Sequence, residues 1–211
     1  MAVVAKERFN PAPYIDKLEK MAKTGLHAEH GDGWGLWLKS GEEEYIHKET
    51  VPIWSRKTKN FPPANIVFAH ARKRGKGAKV ALENTHPFLS RGAVFMHNGL
   101  INITHEDSCG ETDSESLFMA ILHRGLWNVL CDIEKYDFVS INSVLYMDGK
   151  IYVIRYARKL EDYYSIYLRR ENGRLIISTE GGGELIKNKS VVVIDDELNV
   201  EELPFCPDMF R

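Results

Sequence analysis

The sequence predicts a single α+β domain over residues 1–211, built mainly from antiparallel strands. Three observations lead there. Short β-branched and aromatic runs recur along the chain, most densely in its last third. Asp148-Gly149 and Asn172-Gly173 join consecutive runs as tight hairpins, which forces antiparallel pairing. Only two stretches space their apolar residues as a helix does, and 44% hydrophobic content over 211 residues is enough for a large core.

In chain order, residues 2–5 read as the end of a buried strand. Residues 11–23 read as a helix: Pro13 sits near its start, Ile15, Leu18, Met21 and Ala22 share one face, and Gly25 follows its end. Strands 34–38 and 44–48 flank the turn Ser40-Gly41, and 64–71 is another strand. Residues 72–84 form a loop with five basic residues. Strand 93–97 is apolar enough to be buried. The second helix spans 113–127, with Leu117, Phe118, Ala120, Ile121 and Leu122 on its apolar side. Strands 138–146, 150–157, 163–170, 174–179 and 190–194 follow. The sum is about ten strands and two main helices, which two antiparallel sheets with helices outside them would bury.

Composition excludes several classes. The net charge is −2, so no global basic field recruits nucleic acid or an anionic membrane. No apolar run approaches the ~20 residues of a membrane span, and the apolar start, residues 1–5, is too short for a leader. Cys109, Cys131 and Cys206 lie far apart, which predicts a reducing, cytoplasmic setting and no disulfide framework. The chain contains no glutamine while Glu, Lys and Arg are plentiful, a bias of heat-adapted proteins.

Four stretches could carry chemistry. In "FMHNGLI" (95–101) a strand meets His97-Asn98-Gly99. Asn-Gly is a hairpin signal, yet the Asn98 side-chain N–H and a Gly99 backbone N–H could also converge as an oxyanion hole. "EHGDGWGLW" (29–37) reads as a tight connection in which Gly31 and Gly33 take positive φ and Asp32 bonds its own turn. Its spacing is not that of a dinucleotide loop. In the basic loop no aromatics interleave with the charges, against base stacking, while the guanidinium fork of Arg72 suits a small carboxylate. In "GETDSESLF" (110–118), Thr112 and Glu115 form a capping box. Asp113 falls at the first helical position, where the helix dipole favours a carboxylate and where it could also bind an ammonium group. His27-x-x-His30 has metal-ligand spacing with Asp32 nearby, but His70, His86 and His97 are separated singles, and no metal site is expected.

Taken in order, "HGDGWG" (30–35), a strand ending at Arg72, "ALENTHPF" (81–88), "FMHNGLI" (95–101), "GETDSESLF" (110–118) and "ISTEGG" (177–182) resemble the class II glutamine amidotransferases, in particular their small YafJ-like branch. The resemblance implies a four-layer αββα sandwich with two antiparallel sheets, the N-terminal nucleophile hydrolase fold. It implies that Arg72 grips the α-carboxylate of glutamine, Asp113 its α-ammonium, and Asn98 with Gly99 the oxyanion, while Asp32, His86 and His97 support them. It also implies a cysteine at the mature N-terminus that attacks the side-chain amide, with its own α-amino group as base, and no cofactor.

Three departures stand out. The family begins Met-Cys, whereas this chain begins Met1-Ala2-Val3-Val4-Ala5. Either a Met-Cys-Arg segment precedes Met1, which we favour, or the domain binds without hydrolysing, or Cys109 substitutes without an adjacent α-amine. Gly75 stands where the family has a threonine that helps hold glutamine, which points also to γ-glutamyl compounds. No synthase domain follows, so ammonia transfer would need a synthase partner; without one the reaction is hydrolysis.

Overall fold

Hairpin turns and alternating burial sort the strands into two separate antiparallel sheets. A computed structural model describes residues 1–25, 28–75 and 77–207. The chain divides into two compact units, residues 1–87 with 166–185 and residues 88–165 with the segment from 186 onward.

The first unit holds β1 (Ala2–Phe9), α1 (Ala12–Thr24), β2 (Trp34–Ser40), β3 (Glu43–Glu49), β4 (Ala64–Ala71), β9 (Tyr167–Glu171), β10 (Arg174–Ser178) and β11 (Glu184–Leu185). Its seven-stranded sheet runs β11-β9-β10-β1-β4-β2-β3. β1 is central because Ala2–Val4 is apolar on both faces, and it pairs with β10 on one side and β4 on the other. It continues to Phe9, past the expected 2–5. Pro11 and Pro13 start α1, which buries Ile15, Leu18 and Ala22 with Trp34, Leu36 and Val67 in one core; Met21 lies only partly buried. Arg56, just after the 3-10 turn Ile53–Ser55, pairs with Asp16 and Glu19 and holds α1 in place.

The second unit holds β5 (Phe88–Ser90), β6 (Ala93–Ile101), α2 (Asp113–Arg124), α3 (Leu126–Asp132), β7 (Phe138–Met147), β8 (Lys150–Arg155), β12 (Ser190–Ile194) and β13 (Val200–Pro204). Its six-stranded sheet runs β13-β12-β8-β7-β6-β5. Phe95, Leu117, Phe118, Ile121, Val129, Leu130 and Leu145 form its core, with the Phe95 and Phe118 rings stacked at 5.3 Å.

Four expectations need correction. The helix expected over 113–127 breaks at Gly125 (φ +83°), whose N–H caps Ile121, and α3 follows. The strand expected over 163–170 starts at Tyr167, and three short strands went unread: β5, β11 and β13. Gly33 has a positive φ (+115°) but Gly31 does not; it faces the Trp54 ring instead. Cys131 and Cys206 are joined by a disulfide, because β13 returns its tail beside α3; a separation of 75 residues gave no sequence sign of this. No helix among the described residues is long and apolar enough to cross a membrane.

Candidate active site

In the first unit Arg72 closes β4. Its N–H donates to Gly33 O at 2.8 Å and its own carbonyl accepts from Asp32 N at 2.9 Å, so "HGDG" is stitched to the end of the strand. The guanidinium is almost fully buried and donates from Nη1 to Lys79 O at 3.0 Å, which commits one of its five donors. Burial lowers its pKa, against the pull of the nearby Asp32 carboxylate. Asp32 organises the loop rather than only its own turn: Oδ2 accepts from Arg74 N at 3.0 Å. His86 is buried with its ring 4.3 Å from that of His70, ahead of a cis peptide bond to Pro87. A Cβ on Gly35 would lie 2.1 Å from His86 O, so that glycine lets "NTHPF" reach β2. His30, which sequence reading did not weigh apart from a metal, places Nδ1 3.2 Å from Ala71 O. Its proposed metal partner His27 lies outside the described residues.

In the second unit His97-Asn98-Gly99 is not a turn. All three lie within β6, paired with Ser143, Asn142 and Ile141 of β7. Ile141 directs its N–H to Tyr156 O, just past the end of β8, so its partner Gly99 directs its own N–H away from β7. β5 leaves that side open, because its pairing stops at Phe95. Among the described residues the Asn98 side-chain amide makes no hydrogen bond, although the residue is half-buried. A Cβ on Gly99 would lie 1.9 Å from Ser140 O, so no other residue fits there.

Two contacts fix this segment. Asp113 Oδ2 accepts from Ile101 N at 2.8 Å, and Oδ1 accepts from Ser114 N at 2.8 Å. Thr112 caps α2 by accepting from Glu115 N at 3.2 Å, while the Glu115 carboxylate accepts from Gly110 N instead of closing the box on Thr112. His97 is buried between Ser114 Oγ (Nδ1, 2.8 Å) and Ser140 O (Nε2, 3.3 Å). Burial pushes its pKa down, so the ring is neutral: Nε2–H donates to the carbonyl and Nδ1 accepts from the Ser114 hydroxyl. Ser114 and Ser140 are therefore supporting residues that the sequence reading missed. Their signal was present in small hydroxyls at positions that packing buries, as in "FVSINS".

Asn98, Gly99, His97 and Asp113 thus belong to one unit, and Arg72, Asp32 and His86 to the other. An amide with free N–H donors beside an outward glycine N–H has the chemistry to bind an oxyanion. A half-buried carboxylate at a helix start can hold an ammonium group.

Comparison with known proteins identifies the family. The chain belongs to the class II glutamine amidotransferase family: the family model described as "Glutamine amidotransferases class-II" matches residues 16–130. It is similar to YafJ of Escherichia coli (strain K12), provisionally named a glutamine amidotransferase, at 33% identity over 110 residues, covering 45% of this chain and 43% of that protein. Among solved structures it resembles a glutamine aminotransferase class-II domain protein from Silicibacter pomeroyi (TM-score 0.61, 20% identity, 83% of this chain and 92% of that one). It also resembles the glutamine phosphoribosylpyrophosphate amidotransferase of B. subtilis (TM-score 0.66, 14% identity, 97% of this chain and 48% of that one). The match thus spans less than half the length of YafJ and of the B. subtilis enzyme. These likenesses bear out the fold class, two antiparallel sheets with few helices in the manner of N-terminal nucleophile amidotransferase domains.

Proposed function

We propose that this domain hydrolyses the side-chain amide of glutamine or of a γ-glutamyl compound through an amino-terminal cysteine that precedes Met1. The observation that carries the reading is the placement of Asn98 and Gly99 where β6 has no partner on its β5 side, with donors that meet no acceptor among the described residues, two residues before the Ile101 N–H that Asp113 holds. In this reading Asn98 Nδ2 and Gly99 N bind the oxyanion, Asp113 the α-ammonium and Arg72 the α-carboxylate. His97, His86 and Asp32 hold those groups in position. The α-amine (pKa about 8) takes the thiol proton, the resulting thiolate attacks the amide carbon, the protonated amine returns that proton to the nitrogen as it leaves as ammonia, and water hydrolyses the thioester to the carboxylate and free thiol.

Strand register supports the location of the nucleophile. Ala2 opposes Phe68 and Val3 opposes Val67, so a residue two positions before Met1 would oppose Ala71, next to Arg72. A Met-Cys-Arg start would put its cysteine there. Cys109 is a poor substitute, being exposed in the loop after β6 with no α-amine beside it. A partner synthase would be the acceptor if ammonia is transferred. The setting we propose remains the cytoplasm, although the Cys131–Cys206 disulfide removes the thiol argument for a reducing compartment.

The test is the amino-terminal sequence of the protein purified from its native source. A cysteine upstream of Met1 is the expected result. A start at Met1 or Ala2 would overturn the hydrolytic reading and leave a binding domain.

A further inference from the structure

His105 and His123 are remote in sequence and carry no metal motif. The fold brings both together with Asp107. His105 and Asp107 lie in the loop after β6, and His123 lies in the last turn of α2. One ligand atom from each of the three falls within 4.8 Å of the other two. His123 Nε2 is 3.0 Å from Asp107 Oδ2, and the two imidazole rings meet edge to face at 4.7 Å. The Asp107 N–H donates to His105 Nδ1 at 3.2 Å, which turns the His105 ring toward its own loop.

We propose that His105, Asp107 and His123 bind a divalent first-row cation of zinc type and so tie the loop after β6 to the end of α2. Two imidazoles and one carboxylate form the donor set that such ions favour over Mg²⁺ or Ca²⁺. Tetrahedral ligands at about 2.0–2.1 Å from an ion stand roughly 3.3 Å from one another; the His123–Asp107 pair already approaches that spacing at 3.0 Å, and the other pairs, within 4.8 Å, have to draw together around the ion. The site lies at the carboxyl end of α2, where the helix dipole favours positive charge. His105 is half-buried while His123 and Asp107 are exposed, so a fourth position faces solvent and water can fill it.

One group competes. Arg91 Nη2 is 3.0 Å from His123 Nε2. A single ring nitrogen cannot accept from that guanidinium and donate to Asp107 together. A cation takes the Nε2 lone pair and one Asp107 oxygen, and the guanidinium, on the exposed turn between β5 and β6, moves out to water. The loop that is tied down joins Ile101 to Asp113, so the ion would steady the segment between those two residues. The proposal does not depend on turnover.

The chain freed of metal with chelator is titrated with Zn²⁺ by calorimetry and with Co²⁺ by visible absorption. One equivalent is expected to bind, with ligand-field bands of a four- or five-coordinate nitrogen and oxygen site. His105→Ala and His123→Ala should each weaken binding at least about tenfold, with the fold of the metal-free variants checked by circular dichroism. Arg91→Ala should tighten it. Absence of binding, or binding that survives both histidine substitutions unchanged, would overturn the proposal.

Discussion

Asp113 Oδ2 accepts the Ile101 N–H at 2.8 Å and thereby ties the first residue of α2 to the strand that carries Asn98 and Gly99. The same carboxylate receives the Ser114 N–H, so its two oxygens set the spacing between helix and strand. Asp113→Ala strands the Ile101 N–H and removes a first-turn carboxylate, and should lower stability by about 1–3 kcal/mol in urea denaturation. Asp113→Asn keeps an acceptor for Ile101 but loses the charge. It should remain folded, and a γ-glutamyl ligand should raise its melting temperature less than that of the parent chain.

Two glycines should respond in opposite ways. Gly99→Ala puts a Cβ 1.9 Å from Ser140 O, a backbone atom held in the sheet, and should cost at least the ~1–3 kcal/mol of ordinary overpacking. At Gly75 an added Cβ meets no atom of the described residues within 4 Å. Gly75→Thr should therefore leave the melting temperature nearly unchanged while raising affinity for free glutamine, measurable by calorimetry.

His97 should stay neutral well below the ordinary imidazole range. Burial lowers its pKa from 6.5, so below that pH the unfolded chain takes up a proton that the folded chain refuses. The stability it contributes is complete above about pH 6.5 and is lost as pH falls toward the folded value. His30, lowered by the same cause, adds to the trend. Nitrogen-detected NMR should find a single Nε2–H tautomer of His97 at pH 7. An imidazolium at that pH would contradict the hydrogen-bond assignment.

Thiol counting checks the Cys131–Cys206 bond. The native, unreduced chain should react with one equivalent of thiol reagent, at Cys109. Reduction should lower stability by about 2–4 kcal/mol, because the bond closes a long loop in the unfolded chain.

Local chemistry made most of the fold legible. Asp148-Gly149 and Asn172-Gly173 take positive φ at both residues, as the hairpins they predicted require. β11 and β13 escaped notice because Glu184–Leu185 and Val200–Pro204 are short, charged edge strands with little apolar pattern to read. Gly125 carried a helix-stop signal that the apolar run on either side obscured. At the site, Asn98-Gly99 was ambiguous for a physical reason: the dipeptide that suits a tight turn also suits a strand where a carbonyl crowds the glycine and a donor must face outward. Only the pairing with β7 decides between them. His105 with His123, and Cys131 with Cys206, are joined by tertiary structure alone.

In the proposed reaction Asn98 and Gly99 serve an oxyanion in amide hydrolysis. The most direct measurement is ammonia and glutamate release from glutamine and a γ-glutamyl dipeptide by the chain extended with Cys-Arg before Met1 and processed to a free amino-terminal cysteine. Turnover that the unextended chain lacks is expected, with kcat reduced about 10²–10³-fold by Asn98→Ala and KM little changed. No release by the extended chain, or a rate that Asn98→Ala leaves intact, would contradict it.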